Sequence, residues 1–314
     1  MLMPSLPPRY RAFTLIEMLV VISILSLLVA ILLPSLTKAR NQAKGVLCLT
    51  RLRELSHGWH MYADDHNDVS VPGRYANAGG GTSNPANWYE VGNGLKYRPR
   101  WTVTMGRYVG LFAYAKPSTM DDRQDYEHEV YHCPAVPEIV DERNAPFGYN
   151  HQFLGNSRKT DGEFHNFPVK RTRLRATAST VLGADCLGTA AGFPPSQRKS
   201  YQNNGTDYAA ISNHAWTLDP PRLTEFSDIG SGDDDSPRTA ADTRHGGNAS
   251  TVFIDGHGQL MTPYELGYRT GQTGEVLEDH PMGEAAPRDQ RPHNKMFSGT
   301  SHDNDPPALP GSMP

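Results

Sequence analysis

Between Arg11 and Pro34 the chain reads RAFTLIEMLVVISILSLLVAILLP, and from Phe13 to Leu33 its single ionisable side chain is Glu17. Wound as one helix at about 1.5 Å per residue, this stretch spans roughly the 30 Å hydrocarbon core of a bilayer. It is the one segment that water alone does not host. The chain is therefore expected to be tethered to a membrane at its start, and everything after it must be a domain carried on that tether.

The remainder is polar and rich in turn formers, with 29 Gly and 25 Pro, so a soluble domain of short elements is expected. A net charge of -4 leaves no basic footprint for nucleic acid. Three cysteines, Cys48, Cys133 and Cys186, are too few for a disulfide scaffold. Outside the cytoplasm they allow one bridge and one free thiol, and the spacing does not say which two pair.

Residues 1–12 carry Arg9 and Arg11 and end in the small Ala12, directly ahead of the apolar run. A secretory signal puts its small-residue cleavage site after the apolar region. Cutting between Ala12 and Phe13 discards a basic leader and leaves the whole apolar helix on the mature chain.

The stretch AFTLIEMLVVISILSLLVAILLP resembles the processing site and first helix of type IV pilins and of the pseudopilins of type II secretion systems. Ala12 stands where such families have Gly. The resemblance implies cleavage after Ala12 by a prepilin peptidase, methylation of the Phe13 amine, and assembly with other pilin or pseudopilin subunits. It also implies a single pass of the inner membrane with the C-terminal domain outside the cytoplasm; the basic residues on the two flanks do not decide orientation by themselves. A charge at the centre of a membrane helix costs about 2.5–3.5 kcal/mol, less near an end, so Glu17 calls for a partner. The resemblance supplies one in the Phe13 amine of a neighbouring subunit. The plain alternative is a signal anchor with a tolerated acid.

After Pro34 the helix is expected to continue to about Tyr62, because Cys48, Leu52, Leu55, Trp59 and Tyr62 recur at spacings of three and four. Pro34 and Gly45 are places where it can bend. The following Asp64, Asp65, His66, Asn67 and Asp68 suggest calcium only superficially, since the EF-hand glycine and terminal glutamate are missing. Gly79 to Pro85 reads as a loop, and Trp101 to Tyr114 as either helix or strand. Ser179 to Asp185 reads as a buried strand that places Cys186 near its edge, the cysteine least suited to meet Cys48. Asp233, Asp234 and Asp235 are read as a solvated loop, with calcium as the alternative.

His128-Glu129-Val130-Tyr131-His132 spells the zinc-protease pattern H-E-x-x-H. That chemistry needs a helix, to bring both histidines to one face with the glutamate as base. Pro134 pushes Cys133 into an extended conformation, and the alternation suits a strand, on which the histidines lie too far apart for one metal. Chance spelling is the expected explanation.

Cys48, the segments WHMYADD (Trp59 to Asp65), YHCP (Tyr131 to Pro134) and FGYN (Phe147 to Asn150), and RHGGNASTVFIDGHGQLM near the end resemble a group of pilin-like proteins named for a C-terminal His, nine residues and Asp-Gly. Here those residues are His245, Asp255 and Gly256. Physically the motif predicts a β-hairpin: Ser250 to Ile254 as one strand, Asp255-Gly256 as a tight turn, His257 to Met261 as the return. The functional alternative is a ligand held by His245 and Asp255 across the hairpin mouth, with Asp242 as third donor.

The expected fold is therefore α+β, with a long pilin-type helix packed on an antiparallel sheet. The leader is 1–12, the membrane or filament-core helix 13–34, its amphipathic continuation 35–63, the globular domain 64–268, and a polar, disordered tail 271–314. The expected function is structural, a pilus or pseudopilus subunit with no cofactor and no enzymatic activity. The alternatives are an anchored extracytoplasmic binding protein that does not polymerise and, behind it, an anchored zinc hydrolase.

Overall fold

The computed structural model describes residues 14–155, 157–160, 163–166, 169–198, 215–223, 238–272, 274–277 and 291–307. It divides into two compact units, residues 1–42 and 43–314. Helix α1 (Leu15–Asp65) runs through both and holds Pro34 without a break in its helical assignment.

In the first unit α1 opens with a reciprocal cap. Thr14 donates its N–H and hydroxyl to Glu17 Oε2 at 2.9 and 2.8 Å, while the Glu17 N–H donates to Thr14 Oγ1 at 3.3 Å. This capping box satisfies backbone groups that the first turn leaves open. Beyond it, Leu15, Ile16, Leu19, Ile22, Leu25, Leu28 and Leu32 all lie exposed. The helix is long and apolar enough to cross a membrane.

The second unit is built on the other half of α1. Cys48, Leu52, Leu55, Trp59 and Tyr62 are all buried, so the three-and-four spacing becomes the helix's inward face. Strands β1 (Trp88–Glu90) and β2 (Leu95–Tyr97) form a small antiparallel pair. Helix α2 (Trp101–Val109) follows, stopped by Gly110 in the left-handed region at φ 70°. That resolves the stretch after Trp101 in favour of helix. Next come β3 (Phe147–Tyr149), the antiparallel pair β4 (Ser157–Thr160) and β5 (Glu163–Asn166), then β6 (Val181–Asp185), β7 (Ala249–Phe253) and β8 (Gly258–Met261).

The main sheet has the order β3-β6-β7-β8, antiparallel throughout. Its inner strands β6 and β7 are buried at every position, which is why they read as apolar or small-residue runs without alternation. The hairpin forms as expected, with Ala249 opposite Met261 and Val252 opposite Gly258, and Gly256 at φ 87° turns the chain.

A chain of aromatic contacts ties the layers together. Trp59 Nε1 donates to Tyr149 Oη at 2.9 Å, and Tyr149 Oη donates to the Val71 carbonyl at 3.1 Å. The Tyr149 ring stacks on Trp101, whose Nε1 donates to the Trp216 carbonyl. The polar tips of three large side chains, Trp59, Tyr149 and Trp101, are thus satisfied inside the core, where leaving them unpaired is costly.

One expectation is corrected. Glu129–Tyr131 is one 3-10 turn and not a strand, because the His128 ring accepts the Val130 N–H and caps it. Of the expected loose tail, 271–314, the structure describes residues 271–272, 274–277 and 291–307, and it anchors part of these to the domain. Val276 is buried and its N–H donates to the Ala191 carbonyl; Phe297 is fully buried; the Met296 carbonyl accepts from Val181 N–H at 2.7 Å; and Asn150 donates to the Phe297 carbonyl at 3.0 Å. Average polarity hid single anchors, and one phenylalanine with paired backbone groups seats a segment that composition marks as unfoldable.

Phe297→Ala should therefore destabilise the protein by about 3–5 kcal/mol, the usual cost of deleting a buried aromatic ring. Urea unfolding reads this directly; a loose tail would leave the midpoint where it is.

Candidate functional site

Two residues of the C-terminal motif, His245 and Gly256, meet the face of α1 that runs along the β7–β8 hairpin. At one end Gly45 lets His245 approach, for a Cβ at Gly45 would lie 3.2 Å from the His245 side chain. The Gly45 carbonyl accepts from Ser250 Oγ at 3.2 Å. The glycine thus serves close packing of helix on sheet. At the other end Arg53 Nε donates to the Gly256 carbonyl at 3.2 Å, and His60 Nε2 donates to the Ile254 carbonyl at 2.7 Å. From Gly45 to His60 the contact runs roughly 22 Å along the helix at 1.5 Å per residue. The hairpin is therefore a clasp laid along α1.

His245 and Asp255 do not converge. They stand beyond opposite ends of β7, and Asp255 instead accepts from the His257 backbone N–H at 3.1 Å and lies 2.6 Å from His257 Nδ1. Asp242 is held by Arg198 at 2.7 Å and Arg244 at 3.1 Å. The ligand constellation of His245, Asp255 and Asp242 is not assembled by the fold.

His245 has different company. Its Nε2 is 3.2 Å from Asp185 Oδ2 and 3.6 Å from Cys133 Sγ. Cys133 is bridged to Cys48 on α1, with Cα atoms 5.6 Å apart, within the ordinary range for a disulfide. Closing a loop across a sequence separation of 85 residues restricts the unfolded chain by about 4.5 kcal/mol on the chain-entropy view. Cys48, Cys133, Asp185 and His245 are all buried, and one donor atom from each lies within 4.8 Å of the others.

Asp185 is the residue that sequence reasoning passed over. It ends the apolar strand Val181–Asp185 and reads as the beginning of a turn, yet it is wholly buried. Burial pushes its carboxyl up, but Arg244, His245 and the Ser250 N–H, which donates at 2.6 Å, together hold it below the usual carboxylate range. The signal was there: a carboxylate at the end of a fully apolar strand needs a cation or donors. Cys186, next in the chain, is buried and unbridged, and desolvation pushes its thiol up to about 12, so it stays protonated and unreactive.

The H-E-x-x-H residues serve packing bonds. Arg51 on α1 bridges Glu129 at 3.0 Å and donates to the His132 carbonyl, while His132 Nε2 donates to the Tyr126 carbonyl at 2.8 Å. At the acidic end of α1, Arg171 pairs with Asp64 at 2.6 Å and Asp68 at 2.9 Å, so a guanidinium stands where calcium was considered. Ala12 and Phe13 lie outside the described residues, as do Asp233, Asp234 and Asp235.

With this geometry in place, the comparison with protein families adds one finding. Residues 7–33 match the prokaryotic N-terminal methylation motif. The match takes in residues 7–12 ahead of the apolar run and most of the apolar helix, and it supports a pilin-like protein with a prepilin-type start. No curated protein and no solved structure matches the chain.

The buried His245–Asp185 pair yields a pH signature. A carboxyl whose folded value lies below its unfolded value of about 3.9 stabilises the fold above that pH, and the contribution is lost as pH falls through the folded value. Asp185→Asn should cost about 3–5 kcal/mol near neutral pH, the loss typical of breaking a buried pair. The gap to the wild type should narrow below about pH 4, read by urea unfolding across the pH series. A gap that stays constant into acid would assign Asp185 a packing role without charge.

Proposed function

We propose that this chain is a structural subunit of a type IV pilus or of a type II secretion pseudopilus. In this reading a prepilin peptidase cuts after Ala12 and methylates the Phe13 amine. The observation that carries it is the methylation motif at residues 7–33 together with a helix that keeps its whole apolar circumference exposed from Leu15 to Leu36. Such a surface calls for lipid before assembly and for the like helices of neighbouring subunits after it.

Glu17 fits this assembly role. Its Oε2 takes both Thr14 bonds, which leaves Oε1 to accept the charged Phe13 amine of an adjacent subunit. In a dry helix bundle that pairing offsets the cost of the buried charge and fixes the axial register between subunits. The Cys48–Cys133 bridge supports a domain beyond the cytoplasm, since disulfides persist where the surroundings are oxidising.

Mass analysis of protein recovered from the membrane should find a mature N-terminus at methylated Phe13; an intact leader on exported protein would overturn the reading. Filament pull-down should recover the wild type and lose Glu17→Ala, with membrane levels of the two equal. A wild type that is processed but never enters filaments would instead make the chain a solitary anchored binding protein.

A further inference from the structure

The described residues contain one group of side chains whose chemistry exceeds what the clasp needs. Cys48 Sγ, Cys133 Sγ, His245 Nε2 and an Asp185 carboxylate oxygen converge from four separate segments into a dry space, with every pair of donors within 4.8 Å. Two sulfurs, an imidazole nitrogen and a carboxylate oxygen are the donor types of tetrahedral zinc. Zinc bonds of about 2.0–2.3 Å place neighbouring ligand atoms roughly 3.2–3.8 Å apart. The Nε2–Oδ2 separation of 3.2 Å and the Sγ–Nε2 separation of 3.6 Å already have that spacing. Asp185 Oδ1 and His245 Nδ1 are buried without a hydrogen-bond partner among the described residues, so the pair is incompletely satisfied as it stands.

We propose that this cluster is a zinc site in the dithiol form of the protein, mutually exclusive with the Cys48–Cys133 bridge. A dithiol reductant opens the bridge, leaving two thiols on the protein and a disulfide on the reductant. Zinc(II) then displaces the two thiol protons and binds both sulfurs, His245 and Asp185. The sulfurs separate to about 3.8 Å, which rotation of the two cysteine side chains provides. Two thiolates and one carboxylate around a dication leave one net negative charge, and Arg244, whose field acts on Asp185, offsets it. Both forms clamp α1 to the sheet, one by a covalent bond and one by coordination. A chain that has not yet met an oxidant thereby holds its helix against the hairpin until the bridge closes.

The test uses the full chain in detergent, with and without a phosphine reductant, which becomes its oxide by taking the oxygen of water as the bridge opens. Zinc is measured by metal analysis, and cobalt(II) serves as the spectroscopic probe. The reduced wild type should take up one zinc per chain, and the cobalt form should show thiolate-to-cobalt charge transfer and the intense visible bands of a tetrahedral ion. The oxidised protein should take up none. Cys186→Ser should bind like the wild type. Cys48→Ser and His245→Gln should lose more than the roughly 10–100-fold in affinity that removal of an outer-shell partner costs.

Zinc should also shield Cys48 and Cys133 of the reduced wild type from alkylation, read by peptide mass; that measurement stands even where a variant does not fold. Absence of uptake by the reduced wild type, a cobalt spectrum without thiolate charge transfer, or alkylation indifferent to zinc would overturn the proposal. Equal binding by the oxidised protein would overturn it as well.

Discussion

The burial of one stripe of α1, from Gly45 to Tyr62, is the constraint on which the C-terminal unit depends. The main sheet is small, four short strands with three of them wholly buried, and a sheet of that size has too little surface to close a core by itself. The helix supplies the missing layer. Leu52, Leu55 and Trp59 fill the space against the sheet and α2, and the Trp59–Tyr149 hydrogen bond gives the packing a definite register. Hydrophobic burial drives the contact, while the polar links along it restrict the helix to one angular position.

The same helix performs a second task with different chemistry. Its first half is apolar on every face and exposed, and a helix apolar all round is one that a membrane or surrounding helices enclose. All-round apolarity thus gives way to a single apolar stripe, and only the stripe serves the protein's own domain. The helix is tied to its domain where it meets the sheet. The clasp formed by the hairpin, the Arg53 and His60 bonds and the Cys48–Cys133 bridge lies there.

The H-x9-D-G spacing has a mechanical explanation in this arrangement. Ten positions along the chain carry it from His245, beneath Gly45, down β7 to the turn at Asp255-Gly256, opposite Arg53 and His60. The histidine is at the closed, dry end with Asp185 and the sulfurs; the Asp-Gly turn is at the end where backbone carbonyls are taken by helix side chains. The two ends of the motif serve different contacts, and their separation is the length of the clasp.

Much of this was legible in linear order, because local rules govern it. The apolar run, the small residue before Phe13 and Glu17 announce a prepilin-type start, three-and-four spacing marks the buried face of α1, and β-prone residues around Asp-Gly announce the hairpin. Those signals depend on residues a few positions apart, where backbone geometry dictates which side chains share a face. What only tertiary structure decided lies between residues distant in sequence. The pairing of Cys48 with Cys133, the choice of Asp185 as the partner of His245 in place of Asp255, and the seating of Phe297 in the core have no periodic signature. Each arises because burial desolvates a group and the group then takes whichever partner the packed elements bring within reach.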